Sequence, residues 1–257
     1  MESHAPHLTT GTLEAPPWQV IRDFRPDACI HAAWISTPGI YLNSPENRSH
    51  VAWGRSLFQG LVQAGCSYIL GIGTCVEYAG SLNPLIERTS PIEPQSTYAR
   101  AKVELRAIAE SDLASTTTRF GWARLFYPYG PGEHPQRLCS STIAKLRRGE
   151  LVELKTPHSL KDYIHITDVA KALLQIAERA YVGPINVGSG QGTRVGDLVR
   201  TMARLMNRMN CLRLAPEQAP QASDCLIADV QQLHSLGWKP EVPLELGLQA
   251  LIQDLAS

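Results

Sequence analysis

The sequence predicts an α/β protein with a doubly wound parallel sheet, and three observations support this fold class. The 257 residues are 44% hydrophobic and 19% charged, which is the composition of an ordinary folded protein. Short apolar runs bounded by turn residues alternate with longer segments of helical character between residues 16 and 126. The resulting order, β-α-β-α-β, requires right-handed crossovers between parallel neighbouring strands.

The first half of the chain carries the strongest signals. Residues 28–33 and 68–73 are continuous apolar runs, which is typical of parallel strands buried on both faces. Gly65 ends the helix between them, and Thr74 stands at the carboxyl end of the second run. The predicted elements are a helix over 16–24, a strand over 28–33, a helix over 45–64, a strand over 68–73, a helix from 96 and a strand over roughly 116–126.

From Pro128 onwards the pattern is less regular. The glycine-rich segment 188–192 follows a short strand and precedes a helix, as a dinucleotide-binding turn does. No further β-α-β unit with a ribose-binding acid follows, so we do not interpret this segment as a phosphate-binding turn. The predicted elements are a turn over 129–132, a strand over 185–187, and helices over about 137–148, 167–179, 194–206 and from 243.

Charge and cysteine usage exclude several classes of function. The 24 basic and 24 acidic residues cancel, so we expect a small-molecule partner rather than nucleic acid or a membrane surface. The six cysteines are scattered without a Cys-x-x-Cys pair, which argues against a metal site and predicts reduced, mostly buried thiols. No secretory leader or membrane-spanning apolar stretch is present in the sequence, so the predicted location is cytoplasmic.

Tyr98, Lys102 and Thr74 form a candidate proton-transfer group. Residues 96–105 are helical by propensity, so Tyr98 and Lys102 lie one turn apart on the same face. A lysine charge at that position favours phenolate over phenol, which lowers the tyrosine pKa and predicts a general acid or base. The alternative is a packed ring beside a solvated charge, with Thr74 as a turn cap and His31 as a packed strand residue.

Six segments, in order along nearly the whole chain, carry a further signal. They are residues 25–33, Gly73-Thr74-Cys75-Val76-Glu77-Tyr78, Tyr98-x-x-x-Lys102, residues 124–132, residues 161–170 and residues 185–190. Together they resemble the extended short-chain dehydrogenase/reductase family, specifically its nucleotide-sugar epimerase, dehydratase and reductase branch. The resemblance implies a Rossmann-like sheet, with residues 1–127 as a partial dinucleotide-binding core and residues 128–257 mostly as a smaller substrate-binding lobe.

The resemblance also implies a role for each candidate residue. Tyr98 would move a proton to or from a sugar oxygen while hydride moves between that carbon and a nicotinamide ring. The implied cofactor is NAD or NADP, and the implied substrate is a nucleotide-linked sugar. The residues assigned to catalysis are Thr74, Tyr98 and Lys102; those assigned to the cofactor are Ala32, Ala33, Tyr98, Lys102 and Tyr127; those assigned to the substrate are Thr74, Arg137 and Lys161.

The implied activity is that of an NAD(P)-dependent oxidoreductase or epimerase, most like a 4-keto-6-deoxyhexose reductase. Three positions depart from the family. Tyr127 stands where many members have Asn, Lys161 stands where they have Arg, and residues 215–224 contain no basic residue to clamp a diphosphate. The alternative function is that of a catalytically silent member that serves as a binding or assembly subunit.

The family's glycine-rich turn, which receives the cofactor pyrophosphate, is absent before Ala28. We therefore expect an N-terminally truncated or mis-started chain, in which the strand at 28–33 has an exposed edge. We expect a partner chain to cover that edge, or a homodimer to form through the helices at 45–64 and 96–112 by family analogy.

Overall fold

A computed structural model describes residues 8–216 and 218–256, which form ten strands and eight α-helices. The strands are β1 (Ala28–His31), β2 (Tyr68–Thr74), β3 (Arg119–Leu125), β4 (Tyr127–Tyr129), β5 (Val152–Leu154), β6 (Leu160–His165), β7 (Gly183–Val187), β8 (Gly192–Arg194), β9 (Leu212–Leu214) and β10 (Cys225–Leu226). The helices are α1 (Trp18–Phe24), α2 (Glu46–Gln63), α3 (Thr97–Leu113), α4 (Leu138–Arg147), α5 (Ile166–Glu178), α6 (Val195–Leu205), α7 (Gln231–Ser235) and α8 (Leu244–Asp254).

The first sheet has the parallel order β1-β2-β3-β7, so the predicted α/β class and β-α-β-α-β arrangement are confirmed. Strand β2 is buried at all seven positions, as expected for a strand covered on both faces. The prediction of full burial is wrong for β1, where only His31 is buried, because β1 has one neighbour in the described sheet. Ala32 and Ala33 lie exposed in the loop after β1 instead of extending this strand.

Helices cover both faces of the first sheet. Along β2, Leu70 and Ile72 pack in the same cluster as α5, whereas Ile69 packs in the cluster that contains α2 and α3. This alternation is the period of two that a strand imposes on its side chains. The seven predicted helices correspond to α1–α6 and α8, and their ends differ from the prediction by at most two residues.

Two glycines in β2 make room for the indole of Trp122 on β3. A Cβ atom at Gly71 would lie 2.5 Å from ring carbons of Trp122, and one at Gly73 would lie 2.2 Å from its Nε1. Both distances are far below van der Waals contact, so only glycine fits beside this ring. Trp122 is fully buried and fills the space that Gly71 and Gly73 leave open beside Ile69 on one face of β2.

The strands after residue 126 form two smaller sheets, with one exception. Strands β10, β6 and β4 pair in that order, β8 adds antiparallel to β6, and β5 pairs with β9. Strand β7 returns to the first sheet beside β3. Most of these strands have only two or three residues, too few for a period-two pattern, so the sequence predicts only β7 among them. The boundary between residues 127 and 128 stays a prediction.

Asp162 on β6 fixes the glycine-rich loop that precedes β8. Its buried carboxylate accepts hydrogen bonds from the Ser189 backbone N–H at 2.7 Å, the Gly190 N–H at 3.0 Å and the Ala228 N–H at 3.1 Å. A Cβ atom at Gly188 would lie 2.6 Å from Asp162 Oδ2. Because the N–H groups of Ser189 and Gly190 already have an anionic partner, the loop serves as a structural connection, in line with its interpretation as a non-phosphate loop.

Glu77, in the one-turn helix after β2, forms a buried ion pair with Arg124 on β3. Arg124 Nε donates to Glu77 Oε2 at 2.6 Å, and both side chains are 0% exposed. The carboxylate also accepts from the Thr74 backbone N–H at 2.9 Å and from Trp122 Nε1 at 3.0 Å. Arg124 Nη1 continues the network to the Tyr78 hydroxyl at 2.8 Å. These bonds join the carboxyl end of β2 to β3.

We expect Arg124→Met to lower the free energy of unfolding by about 3–5 kcal/mol, since it leaves the Glu77 carboxylate buried without its cation. Glu77→Gln should also destabilise the protein, because it leaves the Arg124 guanidinium buried without its anion. The double variant should lose less than the sum of the two single losses, because it leaves no unpaired buried charge. Urea unfolding of the three variants measures each change.

Arg148→Met is the matched control for this prediction. Arg148 pairs with Glu150, and their side chains are 57% and 48% exposed. Water screens an exposed ion pair, so this variant should unfold nearly as the parent protein does. Equal losses in Arg124→Met and Arg148→Met would contradict a structural role for the buried pair.

Candidate active site

A cavity of about 280 Å³ lies at the carboxyl ends of β2 and β3 and reaches the second sheet. Ligands bind at this edge in open parallel sheets. Six predicted site residues line the cavity: Ala32, Thr74, Tyr98, Lys102, Tyr127 and Arg137. The other two predicted residues do not line it. Ala33 is exposed in the loop after β1, and Lys161 lies next to Tyr127, with its Nζ 5.5 Å from the Tyr127 ring centroid.

The structure brings the side chains of Thr74 and Tyr98 together at the cavity wall, close enough for Thr74 to affect the pKa of the Tyr98 hydroxyl. Thr74 is the last residue of β2, and its hydroxyl accepts from the Val76 N–H at 3.5 Å. Tyr98 stands in the first turn of α3, which begins because the Ser96 hydroxyl accepts the Ala99 N–H at 3.1 Å. A strand end and a capped helix therefore hold the two hydroxyls at the wall of the cavity.

Lys102 stands one turn after Tyr98, as the spacing predicts, and is only 2% exposed. Its Nζ donates to the Ile72 carbonyl at 2.7 Å and lies 3.7 Å from the ring centroid of Trp34. Burial lowers the pKa of Lys102 from 10.5 to about 7, and the charge of Glu77 opposes that shift. Lys102 can therefore gain or lose a proton near neutral pH.

The predicted lowering of the Tyr98 pKa does not occur in this arrangement. Burial raises the pKa of Tyr98 above its ordinary value of 10, and Thr74 opposes the rise through its hydrogen bond. Lys102 Nζ is 5.8 Å from the Tyr98 ring centroid and is not among the groups that shift this pKa. The sequence-based prediction of a lowered Tyr98 pKa is wrong because helical spacing gives the position of Lys102 but not the burial of Lys102 and Tyr98.

The loop after β1 contributes aromatic residues that the sequence argument missed. The Trp34 indole N–H donates to Asn47 Oδ1 at 2.8 Å, and Asn47 Nδ2 donates to the Tyr41 carbonyl at 2.7 Å. Tyr41 meets Tyr98 edge to face, with ring centroids 5.0 Å apart. The sequence could have indicated Trp34 and Tyr41 as site residues, because both lie in the loop that follows the carboxyl end of a parallel strand.

Arg137 and Glu133 stand at the cavity on the side of α4. Arg137 Nη2 donates to the Ser36 carbonyl at 3.2 Å, and its Cζ lies 5.2 Å from the Tyr41 ring centroid. Glu133 Oε1 accepts the Ser140 N–H at 2.6 Å, and burial raises the pKa of this carboxyl. Glu133 is the one carboxylate among the described residues that line the cavity, and the sequence argument did not single it out.

Other features of the described ranges bear on the sequence analysis. All six cysteines are unpaired and five are buried, as expected. His31 is a buried strand residue whose pKa is lowered to about 4, chiefly by desolvation. Residues 8–216 and 218–256 contain no group of three or more His, Cys, Asp or Glu side chains able to hold a metal ion. Every helix in these ranges is too short or too polar to cross a bilayer.

Two relatives of known activity resemble the chain along most of its length. GDP-6-deoxy-D-mannose reductase of Pseudomonas aeruginosa is 25% identical over 256 residues, which cover 90% of this chain and 81% of the relative. dTDP-D-glucose 4,6-dehydratase of Mus musculus is 23% identical over 214 residues, which cover 77% of this chain and 58% of the relative. The chain thus spans less than two thirds of the length of the mouse dehydratase.

Solved structures share the fold. MoeE5, in complex with UDP-glucuronic acid and NAD, superposes with a TM-score of 0.79 at 25% identity over 96% of this chain and 85% of MoeE5. TunA, an NAD-dependent NDP-hexosamine 5,6-dehydratase, gives 0.80 at 25% identity over 100% of this chain and 87% of TunA. The model of the NAD dependent epimerase/dehydratase family matches residues 8–188, more than half of the chain. The chain therefore belongs to the NAD-dependent epimerase/dehydratase family.

Proposed function

We propose that the protein is an NAD(P)-dependent enzyme that acts on a nucleotide-linked sugar, most like a 4-keto-6-deoxyhexose reductase. The observation that carries this proposal is the contact between the Thr74 and Tyr98 hydroxyls at the cavity wall, with Lys102 one helical turn away. Two hydroxyls that converge on one point can hold a sugar oxygen and exchange a proton with it. Family membership and the resemblance to a GDP-6-deoxy-D-mannose reductase support the same function.

The residues around Lys102 fit the nicotinamide half of the cofactor. Lys102 Nζ has three N–H donors and uses one on the Ile72 carbonyl, which leaves two for ribose hydroxyls. Ala32 adds only a methyl group to the cavity wall, so a flat ring can approach the strand end. A bound nicotinamide would supply or accept the hydride. The described residues contain no glycine-rich turn at a helix start to hold the pyrophosphate.

Tyr98 would act as the acid that protonates the sugar oxygen in reduction. In reduction, its hydroxyl donates a proton to the oxygen of the sugar carbonyl, which Thr74 orients through a second hydrogen bond. The raised pKa of Tyr98 keeps the phenol protonated at neutral pH, the form that an acid needs. Lys102, with a pKa of about 7, can return a proton toward Tyr98 after the step.

The charges of the cavity support reduction or epimerisation over dehydration. Loss of water from a sugar needs a base at one carbon and an acid at the departing hydroxyl. Glu133 is the single carboxylate among the described residues that line the cavity, whereas dehydration needs two such groups in addition to Tyr98. Arg137 at the cavity would contact a substrate phosphate by forked hydrogen bonds. Lys161 does not line the cavity, so it would have to move away from the Tyr127 ring to act as a point charge on a phosphate.

We also propose a homodimer that forms through α2 and α3. An open groove between these helices is lined by Phe58, Val62 and Ile108 and is bordered by the ion pair of Arg55 with Asp112. This proposal rests on family analogy together with the position of the groove. The cytoplasmic location stays a prediction from the sequence.

Calorimetric titration separates the enzyme from the silent subunit that the absent glycine-rich turn suggests. We expect NADH or NADPH to bind with a Kd in the micromolar range, and a Lys102→Ala variant to bind more weakly. The expected loss is about tenfold or more, the effect of removing charged hydrogen bonds to the ribose. If neither cofactor binds at millimolar concentration, the silent binding or assembly subunit is the better description of this chain.

Tyr98→Phe should lower turnover by about 10²- to 10⁴-fold, because it removes the proton donor and leaves the ring that packs on Tyr41. Cofactor affinity and melting temperature should stay close to those of the parent. Tyr181→Phe removes a hydroxyl that lies outside the cavity and should retain turnover. Full activity in the Tyr98 variant, measured by NAD(P)H absorbance, would rule out this role.

Lys102→Met should abolish turnover while it stabilises the fold. The folded protein binds the Lys102 proton with a pKa of about 7, against 10.5 in an unfolded chain. Between these values the unfolded chain holds a proton that the folded chain has lost, so a rise in pH favours folding. The instability due to Lys102 is therefore fully present below pH 7 and vanishes above 10.5.

Replacement by Met should accordingly raise the free energy of unfolding by about 1–4 kcal/mol near neutral pH, and by progressively less at alkaline pH. Arg100→Met, which removes an exposed cation from the same helix, should show no such pH dependence. Urea unfolding across this pH range measures both variants. A gain that is independent of pH would show that Lys102 is not the group that titrates.

A further inference from the structure

The ammonium group of Lys102 lies over the face of an aromatic ring. Its Nζ is 3.7 Å from the ring centroid of Trp34 and 5.8 Å from that of Tyr98. An aromatic face carries partial negative charge and attracts a cation within about 6 Å of the ring centroid, and tryptophan attracts it most strongly. Trp34 is therefore both the closer and the stronger of the two aromatic partners.

Helix α2 fixes the position of the Trp34 ring. The indole N–H donates to Oδ1 of Asn47, which is fully buried, at 2.8 Å. Asn47 in turn donates to the carbonyls of Tyr41 and Ser44 at 2.7 and 2.9 Å. The His50 ring stacks on the indole, with centroids 4.9 Å apart and planes 23° apart. A ring restrained in this way offers its face to a cation at little further entropic cost.

Few other groups determine the charge of Lys102. Burial lowers its pKa to about 7, and the carboxylate of Glu77 opposes that shift. His31 on β1 and His50 on α2 would repel the ammonium group if they were protonated, but burial lowers the pKa of each, so both are neutral above pH 7. Tyr98 on α3 is an uncharged phenol, because burial raises its pKa.

The carboxylate of Glu77 is shared with Arg124, so it is a weak counter-ion for a second cation. We propose that Trp34 is a positioning residue whose aromatic face keeps Lys102 cationic, so that Lys102 can return a proton to Tyr98 in each turnover. This inference rests on the proposed function. The proton passes from Nζ to the phenolate that reduction leaves, and the resulting amine recovers a proton from water.

The Trp34 ring has two opposite effects on Lys102. It excludes water, which disfavours the cation, and its face attracts the cation. A test must therefore remove the aromatic face and keep the apolar cover.

Trp34→Leu makes this change. We expect the pKa of Lys102 to fall by about one unit, which is the size of a cation–π contact in a desolvated site. Trp34→Phe keeps a weaker aromatic face and should show a smaller fall. NMR titration of the Cε resonance in protein labelled with carbon-13 at lysine measures this pKa, and the Lys102→Met variant identifies the resonance.

Fluorinated tryptophan at position 34 tests the same contact with the fold preserved. Fluorine withdraws charge from the ring face with almost no change of shape, so the pKa of Lys102 should fall in steps as fluorine atoms are added. Trp53→Leu is the matched control, because the Trp53 ring meets His50 edge to face at 5.2 Å and does not line the cavity. This control should leave the pKa unaltered. An unchanged or raised pKa of Lys102 in the fluorinated protein would overturn the proposal.

The pH profile of kcat connects the contact with the reaction. Repeated reduction needs protonated Lys102, so kcat should fall as the pH rises through the pKa of Lys102. In Trp34→Leu this fall should begin about one pH unit lower, which makes the variant about tenfold slower than the parent on the alkaline side. Both proteins should turn over alike on the acid side. A uniform loss at every pH would mean a merely structural role and would overturn the proposal.

The NMR titration needs neither cofactor nor substrate, so this inference and the proposed function fail separately. If the pKa of Lys102 falls as expected and no 4-keto sugar nucleotide is reduced, the proposed function is overturned and the hold of Trp34 on Lys102 is supported. If a 4-keto sugar nucleotide is reduced and neither the pKa nor the pH profile moves, the proposed function stands and the role of Trp34 is overturned.

Discussion

The buried carboxylate of Glu77 is the interaction on which the rest of the structure depends. It holds the backbone of Thr74, the indole of Trp122 and the guanidinium of Arg124 at once. Thr74 ends β2, and Trp122 and Arg124 belong to β3. The Glu77 side chain therefore fixes the carboxyl end of β2 against its neighbouring parallel strand. The candidate site lies at this edge, so its geometry depends on an ion pair that does not line the cavity.

Desolvation is the second constraint, and it acts oppositely on the two ionisable groups of the site. It raises the pKa of Tyr98 and lowers that of Lys102. Both groups are therefore biased toward their neutral forms. The pKa of Lys102 lies below that of Tyr98, so protonated Lys102 gives up its proton more readily at neutral pH. Trp34 and Tyr41 cause part of this desolvation, because their rings pack on Lys102 and Tyr98. The loop after β1 thus shapes the chemistry without a charge of its own.

Much of this architecture follows from local patterns in the sequence. Apolar runs and glycine or serine boundaries predict the long helices and the strands β1, β2 and β3, and helical spacing places Tyr98 and Lys102 on one face. The short strands after residue 126 could not be predicted, because two or three residues carry no periodicity. The Lys102 pKa could not be predicted either, since its burial depends on residues such as Trp34 that are distant in sequence.

The fit of Trp122 between Gly71 and Gly73 restricts the order in which this sequence can change. A side chain at either glycine collides with the indole, so a smaller residue must first replace Trp122. That replacement would remove the N–H that Trp122 donates to Glu77. Gly71 and Gly73 are therefore coupled through Trp122 to the end of β2 that carries Thr74, and a substitution at either glycine must pass through an intermediate in which this edge of the candidate site is weakened.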